Sequence, residues 1–504
     1  MRPALALPAA FALCLALAFP AAAEQTAQAP GEFHYHQTNI LGTSMELIVR
    51  VPTGPQAVAV ERTVLAEVER LRLILSTYDA SSEISRLATT TGPVKCSPEL
   101  LEVLDVCRSW QARSGGAFNP QLGSIIALWQ EAVKSAAPPD PAALAALVQQ
   151  IAKPTWKIDK TAGTVTRLDG QKPNVDALAK GYIIEKAVAA ARAKEPAMTG
   201  ILLDIGGDIR VWSASGSPPW TLGVADPKHA QENAAPIVQV RLTDGAIATS
   251  GHYARYYMIG GKPYSHILDP RTGRPVEAVA SASVVAKDVT TADALATTLC
   301  VLGPGEGLKL VKATPGAECL IIGADGKQTA SDGWKALEAP AAAAPAAPAT
   351  PAAAQATAWP AGYQLTINLT LPKRKNRPYV AIWIEDAAGK AVRTISVWGK
   401  KQKYIRELKT WWKIGVAQPT LVNAVSRASR AAGQYELVWD GKDDKGAAVP
   451  PGTYTVRVET ARENGPNTLL GGPIPCADKP ATAAIPGNNE VDAVGLSYGP
   501  PAGP

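Results

Sequence analysis

From Glu338 to Gly362 the chain is almost entirely Ala, Pro and Thr. Such a stretch carries too little apolar surface to offset the entropy of ordering it, and no periodicity that would give a helix or strand a face to bury. It therefore splits the 504 residues into two separate folding problems. The composition predicts an Ala/Pro linker over 338–360, a first body over 30–337 and a second over 361–464. Another Pro-, Gly- and Ala-rich segment, 465–504, reads as a disordered tail. Part of the surplus of Pro and Gly, 42 of each, sits in these two segments.

Residues 1–23 read as an export signal. Arg2 opens it, Ala4–Phe19 is apolar, and Ala21-Ala22-Ala23 supplies small residues before Glu24. The apolar run is shorter than the ~20 residues a spanning helix needs. No Cys follows the cleavage point, so the expectation is a periplasmic chain without a lipid anchor or a transmembrane span. The formal net charge of +6 is dispersed, apart from Lys373-Arg374-Lys375, and gives no nucleic-acid surface. Beyond the signal stand Cys96, Cys107, Cys300, Cys319 and Cys476, none in a C-x-x-C pair, which excludes a zinc ribbon or dithiol redox motif. Export permits a Cys96–Cys107 bridge, whereas the apolar helical settings of Cys107 and Cys300 suit buried thiols.

The first body mixes two periods. Val64, Val68, Leu71 and Leu75 recur at helical spacing, as do Leu100, Leu104, Cys107 and Trp110. Ile201-Leu202-Leu203 reads as a buried strand entering a turn at Gly206-Gly207. Ser281–Ala286 reads as another strand, followed by a helix from Thr291. His34 and His36 flank Tyr35 on what reads as a surface strand. The second body alternates with period two over Tyr363–Leu371 and again at Val380, Ile382 and Ile384. Tyr435–Trp439 and Thr453–Val458 flank turn-rich Asp440–Gly452. The expected fold is thus an α+β domain joined by the linker to an all-β sandwich.

Chemistry concentrates in Thr249–Thr298. No Walker loop, H-E-x-x-H or G-x-G-x-x-G occurs, and the one G-x-S-x-G, Gly495–Gly499, lacks the strand–turn–helix setting of a nucleophile elbow. Asp293 and Thr297 lie four apart on a predicted helix and share a face. A carboxylate and a hydroxyl so placed suit a hard cation such as Mg²⁺. Asp293 equally suits the first turn of a helix, where the dipole favours a carboxylate.

Seven segments in order resemble the FAD:protein FMN transferase (ApbE) family, across nearly all of 37–337. They are Leu41-Gly42-Thr43; Ser76-Thr77-Tyr78 with Ser82–Leu87; Gly115–Pro120; Ala177–Tyr182; Asp204–Arg210; Ser265–Pro275; and Asp293–Thr297. The resemblance implies an ApbE-like catalytic fold that moves FMN from FAD, the substrate, onto a Thr or Ser hydroxyl and releases AMP. It implies Mg²⁺ (or Mn²⁺) held by Asp293, Thr297 and the carbonyl of Ala177. It makes His266 the candidate general base, with hydrogen bonding to the flavin as its alternative role. Contacts to FAD would come from Thr43, Tyr78, Asn119, Lys180, Asp204, Gly206, Gly207, Asp208, His252, His266, Asp269, Arg271 and Thr272. Several have plain alternatives: Asp204 and Asp208 as turn caps, Lys180 as a solvated helix residue, Arg271 and Thr272 as turn residues behind Pro270. The chain departs from the family pattern at Asn119-Pro120-Gln121, where Asp-Pro-Thr is common, at Asn174–Ala177 and at Leu41.

The implied partners are exported acceptor proteins, electron-transfer proteins in kind, bearing an Asp-x-x-[Ser/Thr]-Gly-Ala-[Thr/Ser] motif. Asn423–Ser429 is a degenerate version of it, with Ser429 as the hydroxyl, and an ordinary β-loop is its other reading. The second body resembles a domain of unknown function found fused to such transferases, and its Val438–Tyr454 stretch is similar to the immunoglobulin-like module of flagellar hook-capping proteins. Asp440, Asp443 and Asp444 suit a solvated turn or a Ca²⁺ site. Two other functions fit the same residues: a metal-dependent FAD pyrophosphatase, and a self-flavinylated flavin carrier.

Overall fold

A computed structural model of the chain describes residues 31–153, 156–168, 173–227, 236–251, 256–340, 359–360, 362–373, 378–399, 405–415, 426–427, 433–444, 446–462 and 466–500. The predicted export signal, most of the linker, His252 and Ser429 lie outside the described residues.

Eight strands form one sheet whose spatial order is their chain order: β1 (Gly31–Ile40), β2 (Thr43–Val51), β3 (Gly200–Ile205), β4 (Asp208–Ser213), β5 (Asp244–Gly251), β6 (Val279–Ala286), β7 (Glu318–Gly323) and β8 (Gln328–Ala330). Every neighbouring pair is antiparallel. Helices enter as insertions between strands: α1 (Gly54–Leu75) and α2 (Asp176–Lys194) between β2 and β3, and α3 (Val289–Lys312) between β6 and β7. The i, i+4 stripe of α1 is buried at Val64, Val68, Leu71 and Leu75, and packs with α2, α3 and the Met45/Leu47/Val49 face of β2 into the main core. The other face of the sheet carries a smaller core, closed by the hairpin Trp220–Val224/Val238–Leu242 and by Trp334. Two faces covered by different layers explain why β6 is buried at every position rather than alternately.

Among the described residues, α3 alone is long and apolar enough to cross a membrane. Half of its apolar window is buried, and the helix is broken at Gly303 (φ +66°), ahead of Pro304. Cys96, Cys107, Cys300, Cys319 and Cys476 are all free and buried, so the Cys96–Cys107 bridge is not formed. Burial pushes the thiols up, Cys96 to about 11 and Cys300 to about 12, which keeps them protonated and inert.

The second body is a sandwich. One sheet has the order β12 (Gly433–Trp439), β9 (Gln364–Leu371), β16 (Val494–Gly499), β15 (Ala481–Ile485). The other has Ser426–Arg427, β11 (Ala391–Trp398), β10 (Tyr379–Glu385), β13 (Gly452–Ala461), β14 (Asn467–Cys476). Leu365, Ile367 and Leu369 of the first meet Val380, Ile382 and Val456 of the second. Tyr379, Ala381 and Trp383 on the far face of β10 are buried too, under Ile405, Leu408 and Trp411.

Segment 465–504, expected to be disordered, instead supplies β14, β15 and β16. Its low-complexity look hid a half-buried alternation, with Ile474, Cys476, Leu496 and Tyr498 in the core. Pro473 and Pro475 share parity on β14, an edge strand, where a missing N–H costs no ladder bond. A Cβ on Gly472 would lie 2.7 Å from Ile485 Cγ1, so this glycine serves packing. The G-x-S-x-G string is β16 itself, with Ser497 exposed on a strand. The Asp440–Asp444 acids act as turn groups: Asp443 accepts from Ala447 N–H, Asp444 from Thr394 N–H, and Asp440 pairs with Lys442.

Trp359, assigned to the linker from composition, belongs to the sandwich. Its ring meets Trp439 and Tyr498 edge-on, each at 4.9 Å between centroids, and covers Gly441. Full removal of a buried Trp costs about 3–5 kcal/mol. Half-buried Trp359, changed to Ala, is expected to cost about 2 kcal/mol. Hydrogen exchange on the full chain should show that loss of protection in β12 and β16 and none in β1–β8.

Candidate active site

The site begins where α2, α3 and β4 converge. Asp288 caps α3: its Oδ1 accepts from Thr291 N–H at 2.8 Å. That leaves Asp293 in the second turn, only 5% exposed, with no capping duty. Its Oδ2 instead accepts the N–H of Gly181 on α2 at 2.9 Å. Thr297, one turn on, shares its hydroxyl with Ser250 Oγ of β5 at 3.0 Å.

Gly181 makes this crossing possible. A Cβ there would lie 2.4 Å from the carbonyl oxygen of Val289 and 2.9 Å from Asp293 Cβ. A glycine inside a helix costs up to about 1 kcal/mol against alanine, and here the cost is offset by close helix–helix approach. The same contact bears on Ala177. The Gly181 N–H is the donor that the Ala177 carbonyl would take in an unbroken helix, and Asp293 competes for it.

Asp208, 2% exposed at the start of β4, faces the same point. Lys180 Nζ stands 2.7 Å from Asp208 Oδ2 and donates to the Gly206 carbonyl at 3.4 Å. Burial pushes Asp293 well above the usual carboxylate range, and the Asp208 charge pushes the same way; Lys180 and the Gly181 N–H pull back. Burial likewise raises Asp208 against the pull of Lys180. Burial works against the Lys180 charge, yet the carboxylates of Asp208 and Asp293 outweigh it and its pKa is raised. Two buried carboxylates and one ammonium leave a surplus negative charge that calls for a proton or a cation. The surrounding donors are all hard oxygens: Asp208, Asp293, the Thr297 and Ser250 hydroxyls, and the Ala177 carbonyl. This set fits Mg²⁺ or Mn²⁺ better than a thiophilic metal.

Asp204 lies one residue out of phase, on the opposite face of β3, and caps the turn: its Oδ1 accepts Gly207 N–H at 2.8 Å. Burial, reinforced by the Glu46 and Asp208 charges, pushes its carboxyl up to about 7. A folded-state pKa raised from 3.8 favours the folded chain while the acid is protonated, and that stability is lost as pH rises through about 7. Asp204→Asn is therefore expected to flatten the fall in metal-free Tm between about pH 4 and pH 7, measured by calorimetry in chelator. Gly206 and Gly207 both take positive φ (+64° and +91°), the requirement of a two-residue hairpin. Gly206 is covered by Thr43: an added Cβ would fall 2.6 Å from Thr43 Cγ2.

The remaining expected contacts lie on loops and turns. Tyr78 is 85% exposed, not a core residue, in a loop pinned by Thr77 Oγ1 donating to Asp176 at the start of α2. Asn119 is buried with both amide atoms engaged, Nδ2 on the Ile151 carbonyl and Oδ1 on Gln121 N–H, which is a loop-holding role. Its loop reaches α2 through Asn174 N–H and the Pro120 carbonyl. Asp269 ties down its own turn, accepting from Arg271 N–H and pairing with the Arg271 guanidinium at 2.9 Å, while Thr272 Oγ1 accepts from Arg274 N–H. His266 is half-buried in the link between strands Lys262–Ser265 and Leu268–Asp269. Ser250 and Gly181 were not expected as site residues. The signal for Gly181 was a glycine inside a helical pattern, which implies a close contact.

Residues 41–321, more than half of the chain, match the model of the ApbE family. The chain belongs to the ApbE family. A Treponema pallidum relative, FAD:protein FMN transferase, is 32% identical over 283 residues, 53% of this chain and 77% of that protein. A Vibrio cholerae relative of the same name is 30% identical over 314 residues, 59% of this chain and 92% of that one. Among solved structures, the ApbE protein of Thermotoga maritima superposes with a TM-score of 0.55 at 27% identity, over 62% of this chain and all of that one. The flavin transferase ApbE of Vibrio cholerae, in a His-to-Gly mutant form, gives 0.50 at 26%, over 61% of this chain and 99% of that one. The carboxylate site lies inside the ApbE-family match. Residues 361–493 match a second family, described as predicted periplasmic protein (DUF2271).

Proposed function

We propose that this chain is an FAD:protein FMN transferase acting on exported acceptor proteins. The observation that carries the reading is the buried Asp208–Asp293–Lys180 cluster inside an ApbE-family body. In this reading the oxygen of an acceptor Thr or Ser attacks the FMN-side phosphorus of FAD. The pyrophosphate bond breaks, AMP leaves with the bond electrons, and the hydroxyl proton passes to a base.

Asp293, Thr297 and the Ala177 carbonyl would hold Mg²⁺ (or Mn²⁺), which when bound neutralises charge on the pyrophosphate and on the departing AMP. Lys180, beside Asp208, is placed to give its ammonium to a phosphate oxygen. Gly206 and Gly207 allow backbone to approach the cofactor, and the exposed ring of Tyr78 is suited to stack on a flat ring. His266 is the residue assigned to take the proton, its imidazole being suited to do so near neutral pH. Asn119, Asp269, Arg271 and Thr272 hold their own loops and are the further contacts to FAD in this reading. Export by residues 1–23 with cleavage near Ala23 completes the reading, with the Ala/Pro-rich stretch ahead of Trp359 as the tether between two domains.

The test is fluorescence on a denaturing gel. The full mature chain is incubated with FAD, Mg²⁺ and a model protein carrying an Asp-x-x-Ser-Gly-Ala-Thr loop, with and without chelator. A fluorescent acceptor band that chelator removes is the expected result. Free FMN and AMP with no labelled band would replace transfer by hydrolysis, and label on the chain alone would make it a self-modifying carrier.

A further inference from the structure

His34 and His36, expected on a solvent-facing strand, are buried to 7% and 4% exposure. They lie two apart on β1 and so share a face, opposite Phe33 and Tyr35, which pack toward the helix layer. Glu46 of β2 is the cross-strand partner of His36 and joins them on that face. One ligand atom from each of the three lies within 4.8 Å of the others. The cluster is on the far side of the sheet from Asp208 and Asp293, and nothing in the proposed transfer uses it.

The neighbour of His34 fixes which ring nitrogen faces the cluster. His34 Nε2 lies 3.0 Å from Glu32 Oε1, and Glu32 Oε2 takes Arg50 Nε at 2.9 Å. A carboxylate oxygen only accepts, so the ring nitrogen facing it must be the donor. In the neutral ring Nε2 then carries the hydrogen and Nδ1 the lone pair, and Nδ1 is buried without a hydrogen-bond partner. A carboxylate behind a histidine, orienting its other nitrogen inward, is the arrangement found behind metal-bound imidazoles.

We propose that His34 Nδ1, His36 and Glu46 form a second cation site, for a first-row transition metal of the zinc class. Two imidazoles and one carboxylate are a borderline donor set that selects such an ion over Mg²⁺. Bonds of ~2.1 Å require ligand atoms roughly 3.4 Å apart, so side-chain rotations of about an ångström close the site. Half-buried Glu46 leaves the fourth position to water.

Zinc binding by the full chain tests this, with Asp293→Asn as the background so that the oxygen site does not contribute. Equilibrium dialysis at micromolar free zinc, read by elemental analysis, is expected to find one tightly held ion. Adding His34→Gln and His36→Gln should weaken it about tenfold or more, and should abolish the visible absorption of the Co²⁺ form, while flavin transfer by the same histidine variants with Asp293 intact stays unchanged. Glu46→Gln, made separately and checked by circular dichroism, gives an independent reading if the double variant does not fold. No zinc retained by the Asp293→Asn chain, or equal zinc retained in folded histidine and Glu46 variants, would overturn the proposal.

Discussion

Asp293→Asn is expected to lower the rate of flavin transfer by about 10³-fold while leaving the metal-free chain as stable as before, or more so. The two effects have one cause. Asp293 is a carboxylate buried against Asp208, and burial together with Asp208 drives its pKa well up. Asn keeps the shape and an oxygen to accept the Gly181 N–H, but removes a negative charge that only a cation or a proton can balance. In the proposed reading the change removes a cation ligand, and with it several kcal/mol of electrostatic stabilisation, hence the factor of about a thousand. Losing the buried charge relieves repulsion, and the relief is greatest where the pair is most ionised. Because the folded pKa is raised, the wild-type chain gives up stability as pH rises above the ordinary carboxylate range, so the variant's gain in Tm should grow toward alkaline pH. Calorimetry in chelator across that range, beside the gel assay in Mg²⁺, checks both halves. A variant that is both inactive and markedly destabilised at every pH would mean that Asp293 is a structural residue.

Gly181→Ala is expected to be the more damaging change to the fold. The added methyl would meet a backbone carbonyl at 2.4 Å, a distance no rotamer relieves, because the obstacle is the main chain of α3 at Val289. The helices must part, and overpacking of this kind costs about 1–3 kcal/mol, offset by up to about 1 kcal/mol of helix propensity. The net is about 1–2 kcal/mol, a fall of several degrees in Tm. Activity should fall with it, by about 10²-fold, since an ångström of displacement at reacting groups costs that much. Gly207→Ala is a useful comparison, because its added Cβ meets nothing within 4 Å and the strain comes from φ alone.

The periodic parts of this architecture were legible. Helical spacing assigned the buried stripe of α1, and it placed Asp293 and Thr297 on one face, because i, i+4 geometry needs only local sequence. What stayed hidden was long-range. Asp208 meets Asp293 only because β4 lies beneath α2 and α3, and no local pattern encodes that approach. His34 and His36 read as exposed because their burial depends on what covers the second face of the sheet. Asn119 entered through the family resemblance alone, and no local pattern showed that its amide would also tie its loop to the Ile151 carbonyl and the Gln121 N–H. The 465–504 segment misled through composition: glycine and proline mark disorder on average, but on an edge strand or under a neighbour's side chain they satisfy packing.

The hairpin joining β3 to β4 has a further consequence. Ile205 pairs with Asp208 and Asp204 with Ile209, so the two aspartates leave the sheet through opposite faces although only three residues separate them. One face holds Asp293; the other holds Glu46, directly across from Asp204. What keeps each acid on its own side is the length of the link, two glycines and no more. A single residue inserted there, even a third glycine with perfect freedom of φ, would shift one strand by one step and turn Asp208 away from Asp293 and Lys180. The active site thus depends on a count of residues as much as on their identity, and this loop is one where an insertion would be worse than any substitution.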